Sequence, residues 1–339
     1  MTDTFHARHF NSIQALRGIT AVLVALEHVR FLSCGAFGVD IFFCISGFMA
    51  MFSSHYTAKD FLKKRIIRIY PFYALMTIGT FFLLLLFPGM FHLSQANPVA
   101  LLKSLLFVPF EISDGIIQPL VRVGWTINYE MLFYLLFALS MRLSHKYRGF
   151  ICSGLLITLV LVTHLLPTDS VLLTFYGDYI QFEFILGIIA YYIVWKIYTI
   201  WEINSKAEIH SHCQLCRSLA LLLLILLAIT KHQTPIAGIG RLLYWGIPTF
   251  IIVLLFFIMD LLLSTPRWLI TLGNMSFSIY LIHYYPLMFI DRKIFSLESF
   301  SPMALLVTIL GLVIVITVSY VTHLLIEKKL SAFLRKLFK

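Results

Sequence analysis

Apolar runs of near twenty residues recur along almost the whole chain, and this repetition limits the folds open to it. Inside a bilayer every backbone N–H and C=O must find an internal partner, so a spanning chain is either helical or a closed barrel. Barrel strands are about ten residues long and alternate apolar with polar. The runs here are twice that length and do not alternate, so the expected fold class is an all-α integral membrane protein. Composition agrees: 60% of the 339 residues are hydrophobic and 12% are charged, with mean hydropathy +0.91. A soluble domain carries about twice that charge. The net charge of +10 points to basic cytoplasmic loops rather than to nucleic acid. The five cysteines are scattered and make no disulfide framework. No cleavable signal peptide is expected, because the N-terminus is polar and the first apolar run is long.

About ten spans are expected, at roughly 11–31, 36–53, 69–88, 124–141, 149–166, 178–196, 217–231, 243–263, 272–290 and 303–326. The seventh is short for a bilayer. Orientation follows from the basic residues. The loop after span two holds Lys59, Lys63, Lys64, Arg65 and Arg68 against Asp60, and is expected in the cytoplasm. Arg142, Lys146, Arg148, Arg267 and the basic C-terminus then fall on the same side, and both termini are expected to be cytoplasmic. The loop 89–123 is nearly balanced, with Lys103 and Arg122 against Glu111 and Asp114, and falls outside. One domain, 1–339, is expected, with no fused soluble domain.

Ionisable residues inside spans are costly, roughly 3 kcal/mol each on insertion scales, and mark protein interiors or water-filled cavities. In "LRGITAVLVALEH", Arg17 and His28 are eleven residues apart, which is three helical turns plus about 20°, so they share a face. Gln14, Ala21 and Val24 lie on that face with Ala25 on its flank, and Ile19, Val22, Leu23, Leu26 and Val29 lie opposite. Along the axis the two polar groups are about 16 Å apart, Arg17 toward the cytoplasm and His28 toward the exterior. The alternative is that Arg17 snorkels and His28 meets the interface by chance. Asp40, near the outer end of span two, either orients the His28 imidazole or is an ordinary acid at a helix N-terminus. Ser46 and Gly47 lie deeper and suit close packing. In span four, Trp125 and Tyr129 fit an aromatic belt, whereas Glu130 is expected to face the same cavity as His28. His283 in span nine is either a second outer-cavity residue or a structural histidine.

The cytoplasmic stretch "KKRIIRIYP" puts Arg65 and Arg68 three residues apart on one helical face. Paired arginines suit phosphate, by bidentate charge-assisted bonds, although positive-inside bias and anionic lipid also explain a basic loop. "HSHCQLC" places His210, His212, Cys213 and Cys216 together, but structural zinc sites draw ligand pairs from separate segments, and no metal is expected.

Taken together, these segments resemble the membrane acyltransferase 3 family. Arginine, ten residues and histidine in span one resemble its opening signature. "GVDIFFCISGF", "RIIRIYP", "WTINYEMLFY" and "GNMSFSIYLIH" are similar to later elements of that family, in the same order. The resemblance implies a ten-helix enzyme of the bacterial cytoplasmic membrane that moves an acyl group, commonly acetyl from acetyl-CoA, onto a hydroxyl of a carbohydrate or envelope glycan such as an exopolysaccharide or lipopolysaccharide. On this view His28, Asp40 and Glu130 are catalytic. Arg17, Arg65 and Arg68 bind the acyl-CoA, and Trp125, Tyr134 and His283 line the acceptor site. Membrane lipids and a lipid-linked or polymeric glycan are the other expected partners. The competing class is a transporter or flippase using the intramembrane His, Arg and Glu.

Overall fold

The structure, a computed structural model, describes residues 5–6, 8–88, 96–113, 115–166, 169–201, 206–230, 238–260 and 264–337, with the side chains of 201–213 outside the description. Each of the ten expected stretches contains helix among the described residues. The helices are α1 (Asn11–Glu27), α2 (Gly38–Ser53), α3 (Phe61–Leu86), the short α4 (Pro98–Leu105), α5 (Trp125–Leu143), α6 (Arg148–Leu165), the short α7 (Val171–Tyr176), α8 (Phe182–Trp201) and α9 (Lys206–Ile229). They continue with α10 (Gly238–Arg241), α11 (Ile247–Met259), α12 (Arg267–Asn274), α13 (Ser276–Ile282), α14 (Tyr284–Phe289), α15 (Pro302–Thr322) and α16 (Lys328–Leu337). Strand is confined, among the described residues, to a small hairpin of β1 (Glu111–Ser113) and β2 (Ile116–Ile117). Five helical segments are long and apolar enough to cross a membrane: Phe61–Leu86, Arg148–Leu165, Tyr179–Ile200, Gly238–Met259 and Pro302–Leu337. Their outward faces carry large aliphatics such as Leu161, Leu310 and Val313, which lipid would cover.

The chain forms two compact units, each assembled from two separate stretches of sequence. The first comprises Met1–Thr57 and Tyr179–Phe277. Two of its helix pairs pack backbone against backbone. Gly47 of α2 lies against the Phe184 carbonyl of α8, and Gly187 of α8 lies against the Cys44 carbonyl of α2, so a Cβ at either position would meet main chain. Gly18 of α1 and Gly273 of α12 make a similar approach, with the Gln14 carbonyl over Gly273. Small residues allow this closeness where apolar attraction between helices is weak. Gly47 therefore does the packing its sequence context suggested.

The second unit comprises Ala58–Asp178 and Ser278–Lys339. Its α3 begins eight residues before the expected span, because the basic turn Phe61–Arg68 is amphipathic rather than apolar and does not read as a lipid segment. Pro71 sits inside this helix. It has no N–H to give the Ile67 carbonyl one turn back. The Ser331 hydroxyl of α16 donates to that carbonyl instead, at 3.4 Å.

Candidate functional site

In the first unit, α1 turns its small-residue stripe inward. Ala21 and Ala25 are fully buried and Val24 nearly so, while Ile19, Val22, Leu23 and Leu26 on the other side are only half-buried; Val29, expected with them, lies past the end of the helix and is fully buried instead. Arg17 and His28 are half-buried on the stripe. The helix ends earlier than expected, at Glu27, so His28 is its C-terminal cap rather than a mid-helix residue. The turn tightens there, with the His28 N–H donating to the Ala25 carbonyl at 3.1 Å. One Glu27 carboxylate oxygen then accepts from the N–H groups of Gly35 and Ala36, at 2.8 and 3.1 Å. Gly35 itself lies against the Leu23 carbonyl, where a Cβ has no room. The loop that leaves His28 is thus pinned back onto the end of α1. A carboxylate on main-chain N–H groups is a strong, charge-assisted clamp. Glu27 escaped the sequence reading because an acid at a helix end is common.

Asp40 finds different company from that expected. Gly38 packs on Thr20 and Val24 of α1. The Asp40 carboxylate instead accepts from Arg241 through both oxygens, Nε to Oδ1 at 3.1 Å and Nη2 to Oδ2 at 2.7 Å. Arg241 also stands over the Trp245 ring at 4.8 Å. Glu183, at the start of α8, is fully buried within hydrogen-bonding reach of Asp40. Arg241 and Glu183 are both ionisable groups in apolar surroundings, and that signal could have found them. Their partnership with Asp40 spans 201 residues to Arg241 and could not be read locally.

The second unit gathers three expected residues. The Arg65 guanidinium lies over the rings of Phe61 at 5.3 Å and Tyr134 at 5.1 Å. The Tyr134 hydroxyl donates to Glu130 Oε1 at 2.6 Å, and the Glu130 charge acts on Arg65. Arg65 is buried, whereas Arg68, Lys63 and Lys64 are exposed. The expected pair of arginines on one face is therefore split. A step of three residues leaves about 60° between side chains, enough for one to turn into the packed interior and the other out of it. Trp125 is half-buried edge-on to Tyr129 at 5.9 Å, and Tyr129 donates to the Phe175 carbonyl. The start of α5 is tied to α13, with Thr126 and the Val123 carbonyl both bonded to the Tyr280 hydroxyl, at 2.7 and 2.9 Å. His283, fully buried, lies 5.9 Å from the Tyr280 ring and bonds the Ile279 carbonyl through Nδ1 at 3.0 Å. That bond fixes Nδ1 as the N–H donor and turns Nε2 into the acceptor.

His210, His212 and Cys213 have side chains outside the described residues; Cys216 is a half-buried free thiol. Among the described residues no group of three or more His, Cys, Asp or Glu is placed to hold a metal ion.

A family model for an acyltransferase domain matches residues 10–324. The chain is 37% identical over 159 residues to the exopolysaccharide production protein ExoZ of Rhizobium meliloti, covering 46% of this chain and 50% of that protein. It is 24% identical over 318 residues to the O-acetyltransferase OatA of Staphylococcus aureus, covering 85% of this chain and 52% of the relative. The chain thus spans about half the length of the curated relatives it matches. No solved structure matches it.

Proposed function

Since the chain belongs to the acyltransferase 3 family, we propose that it is a multi-pass membrane O-acyltransferase that moves an acetyl group from acetyl-CoA to a hydroxyl of an envelope or exopolysaccharide sugar. The names of the two relatives, one an O-acetyltransferase and one an exopolysaccharide production protein, support the acceptor class. We place the protein in the bacterial cytoplasmic membrane with ten crossings and both termini inside, on the charge of its loops.

The observation that carries the proposal is His28, an imidazole set at the end of a stripe of small buried residues that also carries Arg17, and followed by a pinned loop. In the reaction, His28 takes the proton of the sugar hydroxyl as its oxygen attacks the thioester carbonyl. The C–S bond breaks, and the proton passes to the departing thiolate, so no other reactant is needed. A fixed general base contributes about 10²–10⁴-fold, which is the loss expected when it is removed. Arg17, half-buried lower on the same stripe, binds the donor. The exposed Arg68, with Lys63 and Lys64, meets the CoA phosphates as they arrive. Arg65 is held in its place by Tyr134 and Glu130, so its guanidinium needs little further ordering when it contributes to donor binding. Trp125 and His283 serve the acceptor. Asp40 acts through Arg241, by fixing the start of α2.

Purified protein given labelled acetyl-CoA and a fragment of the host polysaccharide is expected to label the sugar. His28→Ala is expected to accumulate normally and to lose about a hundredfold or more in rate. A well-folded His28→Ala protein with the wild-type rate would remove the role assigned to His28. Wild-type protein that neither binds acetyl-CoA saturably nor labels an acceptor would favour a transporter.

A further inference from the structure

The cluster of Asp40, Glu183 and Arg241 in the first unit has a charge problem. It joins two carboxyl groups to one guanidinium, with both acids fully buried and the arginine side chain 15% exposed. Arg241 spends its fork on Asp40, and bidentate geometry uses both of that carboxylate's oxygens. Glu183 gets no such donor: among the described residues neither of its oxygens receives a hydrogen bond, though Asp40 lies within reach. Space is kept for the Glu183 carboxyl by Gly246, where a Cβ would collide with both of its oxygens. Gly246 closes a π-helical turn, Leu242–Gly246, that follows Arg241 directly. Single π turns inside helices are enriched at functional sites. Among the described residues, the other titratable group that acts on Glu183 is the buried Cys44 thiol, one turn along α2 from Asp40. A thiol offers no compensating positive charge.

An uncompensated carboxylate in such a place is strongly unfavourable, and two carboxylates at close range settle the conflict by sharing a proton. We propose that Glu183 is a buried proton-binding site: it is an un-ionised acid at neutral pH, its O–H donates to Asp40, and the cluster as a whole is neutral. The ligand of this site is the proton. A monovalent metal cation would satisfy the same charge count, but it would need several oxygen ligands around it, whereas a proton needs only one acceptor lone pair, which the Asp40 carboxylate keeps beside its two bonds from Arg241. The proposal does not depend on which acyl donor or acceptor the protein uses.

The test is infrared spectroscopy of the full-length protein in detergent at neutral pH, in sodium-free and sodium-containing buffer. The carbonyl stretch of an un-ionised carboxylic acid should be present, should shift when glutamate is labelled with carbon-13 at the side-chain carboxyl, and should disappear in Glu183→Gln. Because the amide introduced by that substitution is neutral and can also donate to Asp40, the variant should keep the wild-type melting temperature. In Asp40→Asn the single remaining acid becomes the counterion of Arg241, so the Glu183 band should vanish there too. Absence of a glutamate-labelled acid band in the wild type overturns the proposal without any variant being needed. So does survival of the whole band in Glu183→Gln. A wild-type melting temperature that rises with sodium but not potassium, with the band missing, would assign the site to a metal cation instead.

Discussion

Tyr134 serves two neighbours with one side chain: its ring lies under the Arg65 guanidinium and its hydroxyl donates to Glu130. The two contributions separate by substitution. Tyr134→Phe keeps the ring and removes a hydrogen bond to a charged acceptor, worth about 1.5–3 kcal/mol. Tyr134→Leu also removes a cation–π contact worth up to about 2 kcal/mol when desolvated. If Arg65 serves the donor, acetyl-CoA affinity should fall stepwise from wild type to Phe to Leu, read by titration with the labelled compound. Equal affinity in all three proteins would detach Arg65 from the donor. The sequence showed each of Arg65, Glu130 and Tyr134 as a residue worth naming. Their meeting was hidden, because Arg65 and Glu130 were expected at opposite depths. The early start of α3 carries Arg65 further into the packed interior than the expected span allowed, and there it meets Tyr134.

At the scale of elements, the apolar runs were enough to locate helices, since a run of that length has few alternatives. Their ends were less legible. The end of α1 depends on Glu27 bonding main-chain groups eight and nine residues away, which hydropathy does not register. The interior Pro71 of α3 is a second case, since a proline there would ordinarily mark a helix boundary. The Ser331 hydroxyl offsets the missing donor from a different helix. Ser331→Ala should therefore cost about 1 kcal/mol, by leaving the Ile67 carbonyl buried without a donor. In a Pro71→Ala background the restored N–H reaches that carbonyl, and the same serine change should cost almost nothing. Thermal unfolding of the four proteins in detergent measures the coupling. Additive effects would mean that Ser331 acts elsewhere.

Across the whole molecule, each unit is built from two stretches with the other unit's residues between them in sequence, and no shift in composition marks where the chain leaves one for the other. Neither unit can complete its core until distant helices have been made: α2 awaits α8, and α3 awaits α16. Such chains fold late and expose unsatisfied faces meanwhile. The proposed topology makes a prediction at this scale. In a variant with its native cysteines replaced, Val99→Cys should react with an impermeant thiol reagent applied to intact cells. Lys64→Cys and Arg335→Cys should react only after the membrane is opened; the reverse pattern would invert the topology.

The glycine contacts in the first unit have a mechanical consequence. Where α2 meets α8 and α1 meets α12, main chain touches main chain, and no side chain lies between them to change rotamer or slide. Each pair behaves as a stiff strut, and compliance has to reside elsewhere. Within that unit the π-helical turn at Leu242–Gly246 is the natural joint. It carries a loosened hydrogen-bond register and no strut of its own, and it lies directly beside the arginine that grips Asp40.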